Sequence, residues 1–428
     1  MPSTTMPTLR DRLTSLVNRR SFVPFCLVSG ICLRLVWISV VDPDQVSDFK
    51  WYFLRAVSIA HGTGYSVDGI RTAYWPVGYP GFLGALFYLF GPSLFLAKCL
   101  NIVLYAGLIL LTYWVGKRVF RSELAARLAV FFLSFYPNHV AYATILSTEI
   151  LFAFLVMLGA ALLVAAQERT GWLLLAGLVW GMAALTKTQV IFVPIIFLAV
   201  FAANRRSFLK AAVTVYLTLI LTISPWLIRN YFAVGAPTLS TNGGIVLFIG
   251  NNPYATGGQI WDDRVKSLLG DLGTDNMFDG KEVEREARAE RVAIRYIKQH
   301  PVRTVLLWPR KLVGLYASDV DGFYYSLGAM RADWAHHAFV YLGFRIFGEL
   351  YYLVLLALAG IAVYSVVCRP SQGGKIGIYI VLYFTATYLL FFAIARYHFA
   401  FMPWVILYSG LGGEQLLRGR DEVAKGSE

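Results

Sequence analysis

Three carboxylates, Asp42, Asp44 and Asp48, crowd the stretch VDPDQVSDFKWYFLRA at 41–56, directly after the apolar run SFVPFCLVSGICLRLVWISVV. Asp42 and Asp44 fit a solvated loop. Asp48 heads DFKWYFLRAVSIA, which carries Trp51, Tyr52 and Phe53 and reads as an amphipathic helix at a membrane interface. A helix N-terminus favours the anionic carboxylate, and apolar neighbours limit its access to water. A group so placed suits a general base that takes a proton from a hydroxyl.

Other polar residues sit in apolar runs or at their ends. Arg34 lies inside the first run, Glu149 in ILSTEILF and Lys187 in ALTKTQV. Arg229 and Asn230 end SPWLIRNY, and Arg396 and His398 lie in ARYHFAF. Charged groups at membrane depth are costly and tend to mark function. Each also has a plainer role open to it: snorkelling to the headgroups, capping a helix, or pairing with an acid. Taken together, Lys187, Arg229, Arg396 and His398 are expected on the side of Asp48. There they would hold an anionic phosphate head group, with apolar grooves for a lipid tail.

The elements that must position these residues are membrane spans. Of 428 residues 57% are hydrophobic and 15% charged, which excludes a water-soluble enzyme. The net charge of +13 collects at span ends and does not point to nucleic acid. The four Cys show neither metal-ligand nor disulfide-framework spacing. The basic N-terminus lacks a small-residue cleavage site, so the first run is expected to be retained.

Runs of about 20 apolar residues fall near 22–41, 93–116, 124–143, 150–167, 172–187, 190–203, 210–228, 338–367, 376–395 and 399–417. The expected fold is an all-α polytopic membrane protein of about ten transmembrane helices, with two long extracytoplasmic regions carrying interfacial helices. YPGFLGALFYLFG at 79–91 is too short to cross alone. Lys and Arg clusters precede the first span, lie between the second and third, sixth and seventh, and eighth and ninth, and follow the last. All fall on one side, which is therefore cytoplasmic. The layout is a cytoplasmic N-terminus at 1–21, a transmembrane module at 22–228 with a catalytic first outer loop at 42–92, an extracytoplasmic region at 229–337, C-terminal helices at 338–417 and a cytoplasmic tail at 418–428. Within 229–337, KEVEREARAERVAIRYIKQH forms a charged helix with Glu284 and Arg288 at i,i+4. PVRTVLLWPRKLVGLYASD is expected to lie in the headgroup layer, because an eleventh span there would reverse the charge pattern.

Six segments in order resemble the C-type membrane glycosyltransferase superfamily, in the branch of the protein O-mannosyltransferases and the lipid A aminoarabinose transferase. SDFKWYFLRAVSIAHGTGYS resembles the first outer loop, YWPVGYPGFLGALFYLFG the PPGYP segment, LSFYPNHVAYATILSTEILF the YP…TE stretch and AALTKTQVIFVP the LT(K/R) turn. SPWLIRNYFAVGAPTLSTNGGIVLFIGNNPYATG is the most specific match, and ARYHFAFMPWVILYSG resembles the last span.

The resemblance implies sugar transfer from a polyprenyl-phosphate donor to a hydroxyl of a protein, lipid or glycan on the extracytoplasmic face of the cell membrane, usually with inversion. The family's catalytic acid in the first outer loop falls on Asp48. The family acid is often followed by a second one, but Phe49 and Lys50 follow here. Lys50, Tyr52, Arg71, Glu149, Lys187, Arg229, Asn251, Arg396 and His398 are the candidate substrate-binding residues. Arg71 precedes Trp75 by four residues where the family often carries an Arg before its PPGYP segment. Asn251 and Asn252 suit either bonds to sugar hydroxyls or a structural turn. The last span lies near the end of the chain, so acceptor recognition is expected from the two long outer loops. No cofactor is indicated, and a divalent metal stays open. A transporter or flippase of a lipid-linked saccharide, or a glycan ligase, would share the span count; related halves and midplane charges would mark the transporter, and neither is seen.

Overall fold

The computed structural model describes residues 8–328, 338–368 and 373–418. The end of the region expected to be extracytoplasmic (329–337), Arg369 and Arg420 of the basic clusters, and residues 419–428 lie outside the described residues. Nearly all secondary structure is helical; the strands described are the antiparallel pair Ser66–Val67 and Ile70–Arg71. Five helices are long and apolar enough to cross a bilayer: Phe22–Val40, Leu94–Phe120, Thr148–Ala165, Arg205–Val234 and Ala338–Val367. Gly78–Phe90, Trp172–Thr186 and Ile376–Leu390 are shorter apolar helices. Met402–Arg418 packs against Ala338–Val367 and Glu123–Ser134. The protein is an all-α polytopic membrane protein.

Several expected boundaries move for local reasons. The 124–143 run yields only Glu123–Ser134, followed by the short turns Pro137–Ala141 and Tyr142–Thr144. Pro137 cannot donate to the helix ladder and forces Tyr136 out of helical geometry. The helix therefore ends with carbonyls that need donors. Arg34 supplies them: its Nη1 donates to Ser134 O at 2.8 Å and Gly30 O at 3.0 Å, and Nη2 reaches Leu133 O at 3.4 Å. Its guanidinium also lies 4.3 Å from the Tyr105 ring centre. Arg34 thus neither snorkels nor pairs with an acid. Arg34→Leu is expected to cost about 1–3 kcal/mol through these orphaned carbonyls, read as a lower melting temperature in detergent; an unchanged melting curve would remove the capping role.

The 190–203 run yields only Val193–Phe201, with Pro194 in its first turn. By contrast, the run expected at 210–228 grows to Arg205–Val234. Asn204 caps it, accepting from Ser207 N, and left-handed Gly235 (φ 84°) ends it. Against this helix packs Trp172–Thr186, whose Gly177 and Gly181 form a small-xxx-small seam. A Cβ on Gly177 would stand 2.5 Å from Val215 O, and one on Gly181 2.6 Å from Thr222 Cβ. The seam fixes the axial position of Trp172–Thr186, and hence of Lys187 at its end.

Within 229–337, Glu282–Gln299 packs on Gly243–Gly250. Glu284 and Arg288 are both exposed and form no ion pair with each other. On this helix burial pushes the Glu286 carboxyl up to about 7 from 4.5. An acid raised in the fold favours folding fully below its ordinary range and loses that contribution as pH rises through the folded value. Stability should therefore fall between pH about 4.5 and about 7, and Glu286→Gln should flatten the fall. Thermal unfolding at pH 5 and pH 8 checks this, and equal slopes in both proteins would refute it. Pro301–Leu306 and Trp308–Tyr316 follow as two short helices, neither long enough to cross a bilayer.

Candidate active site

The chain enters the Ser47–Ala60 helix through a left-handed Ser47 (φ 51°), a conformation that costs energy in a residue with a Cβ. The next residue is Asp48, which is nearly buried. Its partner comes from 348 residues away: Arg396 Nη2 donates to Asp48 Oδ2 at 2.8 Å, and Nη1 lies 3.4 Å from Oδ1. Arg396 sits on the short 3₁₀ segment Ala395–Phe401, about two turns long, just before the Met402–Arg418 helix. Its Nε stands 3.1 Å from Glu149 Oε1, and Lys187 Nζ donates to the same oxygen at 2.9 Å. Two acids and two cations from four distant elements therefore form one chain, Asp48–Arg396–Glu149–Lys187.

Glu149 is the deepest member, 1% exposed in the first turn of Thr148–Ala165. An isolated carboxylate could not survive there; two cations make it tolerable. Lys187 follows the Trp172–Thr186 helix, where the chain turns extended and its side chain reaches back to Glu149. Lys187 and Arg396 both line a cavity of about 530 Å³. Gln189 and Thr188 add polar groups to its wall, while Ile191, Phe192, Leu390 and Phe391 make part of it apolar. Tyr52 also lines it, with its ring against Trp75 and Tyr79.

The remaining candidates are placed elsewhere. Lys50 is exposed on the Ser47–Ala60 helix, and Arg71 is exposed on its two-residue strand. Arg229 points into the 65–72 segment, where it donates to Thr72 O and Tyr65 O, both at 2.7 Å. Asn251 ties two helix ends together, donating to Leu247 O at 2.9 Å and Leu390 O at 2.7 Å. His398 is fully buried with Nε2 3.0 Å from Asp319 Oδ1 and Nδ1 2.5 Å from Leu315 O. Asn138 donates to the same Asp319. Asp42 pairs with buried Lys98, and Asp44 is exposed without an ion-pair partner among the described residues. Of the opening trio, only Asp48 reaches the four-residue chain.

The sequence reading did not single out Gln189 as a ligand to the cavity, though a polar residue two places after Lys187 in an apolar turn was a usable signal. It also passed over Asp319 and Asp321. Burial, then the neighbouring Asp319, holds the Asp321 carboxyl above its ordinary range. Among the described residues no group of three or more His, Cys, Asp or Glu forms a metal-ligand cluster. Asp48 and Glu149 are committed to Arg396 and Lys187, so this donor set does not fit a metal.

Residues 76–228 match the family model described as dolichyl-phosphate-mannose-protein mannosyltransferase. A search of the curated proteins finds no match. Among solved structures, the oligosaccharyltransferase AglB of Archaeoglobus fulgidus, in complex with an inhibitory peptide and a dolichol-phosphate, aligns over 94% of this chain and 51% of its own at 12% identity, TM-score 0.53. The A. fulgidus oligosaccharyltransferase in complex with Zn and sulfate aligns over 92% and 49% at 15% identity, TM-score 0.54. This chain thus spans about half the length of those proteins. ArnT of Cupriavidus metallidurans, bound to undecaprenyl phosphate, aligns over 94% and 79% at 14% identity, TM-score 0.45. The fold is thus shared with these oligosaccharyltransferases, and the family-model match covers a segment that runs through Glu149 and Lys187.

Proposed function

We propose that the protein moves a sugar from a polyprenyl-phosphate donor to a hydroxyl acceptor on the extracytoplasmic face of the cell membrane, with Asp48 as general base. The observation that carries the reading is the Asp48–Arg396–Glu149–Lys187 chain, whose Arg396 and Lys187 line a largely apolar cavity. The dolichol-phosphate seen with the oligosaccharyltransferase of the same fold is a carrier of the required chemistry.

In the proposed step the acceptor oxygen attacks the anomeric carbon as its proton passes to Asp48. The bond from that carbon to the phosphate oxygen breaks, and the phosphate leaves with the electron pair. Lys187 and Arg396 meet the charge that grows on it, which is where fixed donors help most. Attack from the face opposite the leaving phosphate inverts the anomeric centre, with no sugar–enzyme bond. Arg396 is shared in this scheme: it orients Asp48 and neutralises the leaving group. No step passes through a metal.

The test uses the full chain in nanodiscs with undecaprenyl phosphate carrying radiolabelled mannose, glucose or arabinose, and membrane extract as acceptor source. Label appearing on a new acceptor, with bare carrier released, is the expected result. Donor that binds but is only moved across the bilayer would replace this reading with a flippase.

A further inference from the structure

We infer that Trp75 is the platform of a sugar subsite, stacking on the apolar face of the transferred ring while Asn242 bonds its hydroxyl edge. The inference rests on the donor reading above and names the residues that recognise the sugar.

Trp75 lines the cavity and is only partly buried, unlike Trp180 and Trp404, which are fully enclosed packing residues. Its indole is gripped by four other rings. Tyr74 and Trp51 have centroids 4.7 Å away, at 87° and 62°, with Tyr52 at 6.0 Å and Phe278 at 6.2 Å. The backbone beneath is tied down just as firmly. Tyr65 Oη donates to Trp75 O at 2.9 Å, and Arg229 Nη1 to Thr72 O at 2.7 Å. Glu282 accepts from Thr72 Oγ1 and from Ala73 N, both at 2.6 Å. A surface aromatic held on so many sides loses little freedom when a ligand arrives.

The same tether brings up the polar half. Thr241 N donates to Ala73 O at 2.9 Å, which docks the 240–242 segment beside Trp75. Ser240 and Asn242 both line the cavity. Asn242 precedes the Gly243–Gly250 helix but its side chain makes no capping bond. Ser240 Oγ donates to Asn242 Oδ1 at 3.2 Å, which orients the carboxamide and leaves its NH₂ without a protein partner among the described residues. A sugar has one face of C–H groups and an edge of hydroxyls. C–H groups carry the positive edge that a π face attracts, and the amide supplies a donor for the edge. With the ring on Trp75, the anomeric phosphate turns to the Lys187 and Arg396 wall.

The experiment compares binding of undecaprenyl phosphate with and without mannose, glucose or arabinose to the full chain in nanodiscs. Wild type should prefer one sugar-bearing carrier over the bare one. Trp75→Ala should cut that preference about five- to tenfold, in line with aromatic stacking energies, and leave affinity for bare carrier unchanged. Trp75→Phe should retain most of it, and Asn242→Ala should lose part. Equal weakening of both ligands by Trp75→Ala would show a merely structural role and overturn the inference. Should that variant not fold, Trp75→Leu and Asn242→Ala decide the matter, since an unchanged preference in both defeats the subsite. A wild type blind to the sugar would instead defeat the donor reading itself.

Discussion

Asp48→Asn is expected to lower kcat for sugar transfer by about 10²–10⁴-fold, the usual contribution of a positioned base, with donor KM near its wild-type value. The amide matches the carboxylate in shape and keeps an oxygen for Arg396, so the helix start and the cavity wall should stand. What it cannot do is take the acceptor proton. The alternative is that Asp48 serves only to hold Arg396 in place. Loss of the charge would then loosen Arg396 and appear mainly in KM, because Arg396 lines the cavity proposed for the donor. The split between kcat and KM separates the two roles. A kcat within a few-fold of wild type would take the base assignment away from Asp48, whatever happens to KM.

Much of the frame was legible because a span is a run, and runs survive in one dimension. The short reach of 79–91 was plain from its length, whereas the 210–228 run missed the ends of Arg205–Val234, because its capping residues Asn204 and Gly235 lie outside the apolar stretch. The third span misled because its hydrophobicity continues past Ser134. Only the Tyr136–Pro137 pair, together with Arg34 waiting to cap the carbonyls, shows why the helix stops.

The site was harder to read for a geometric reason. The sequence could gather Lys187, Arg229, Arg396 and His398 near one end of the bundle, but not choose which faced inward. Arg396 and His398 are two residues apart on a tight helix of about three residues per turn. They therefore point roughly 120° apart, one to Asp48 and one to Asp319. Arg229 was expected on the same side as the others, yet the 65–72 segment folds back over it and takes its donors. That fold-back is a contact between residues 157 positions apart, which no local pattern encodes. Trp75 gives the converse case. Its segment was part of the resemblance, but the role proposed for it depends on Glu282 and Thr241, which lie well over a hundred residues further along the chain.

Arg396 should prove the most sensitive position for stability. It meets Asp48 and Glu149 at once, and both carboxylates are largely shut off from water. In Arg396→Gln, two acids are left with Lys187 alone. Breaking a buried ion pair by removing one partner costs about 3–5 kcal/mol, because a charge remains without compensation. A large drop in melting temperature is therefore expected, with loss of donor binding. Adding Glu149→Gln removes the surplus charge: Asp48 and Lys187 then balance, and the Gln side chains can still hydrogen-bond. The double variant should recover much of the lost stability, since the penalty came from imbalance and not from shape. It should not recover turnover, because the leaving phosphate still lacks its guanidinium. Thermal unfolding and turnover, measured on the wild type, each single variant and the double, form a complete cycle. If the two substitutions merely add in stability, the four groups are not one electrostatic unit. If the double variant regains turnover, Arg396 has no part in stabilising the departing phosphate.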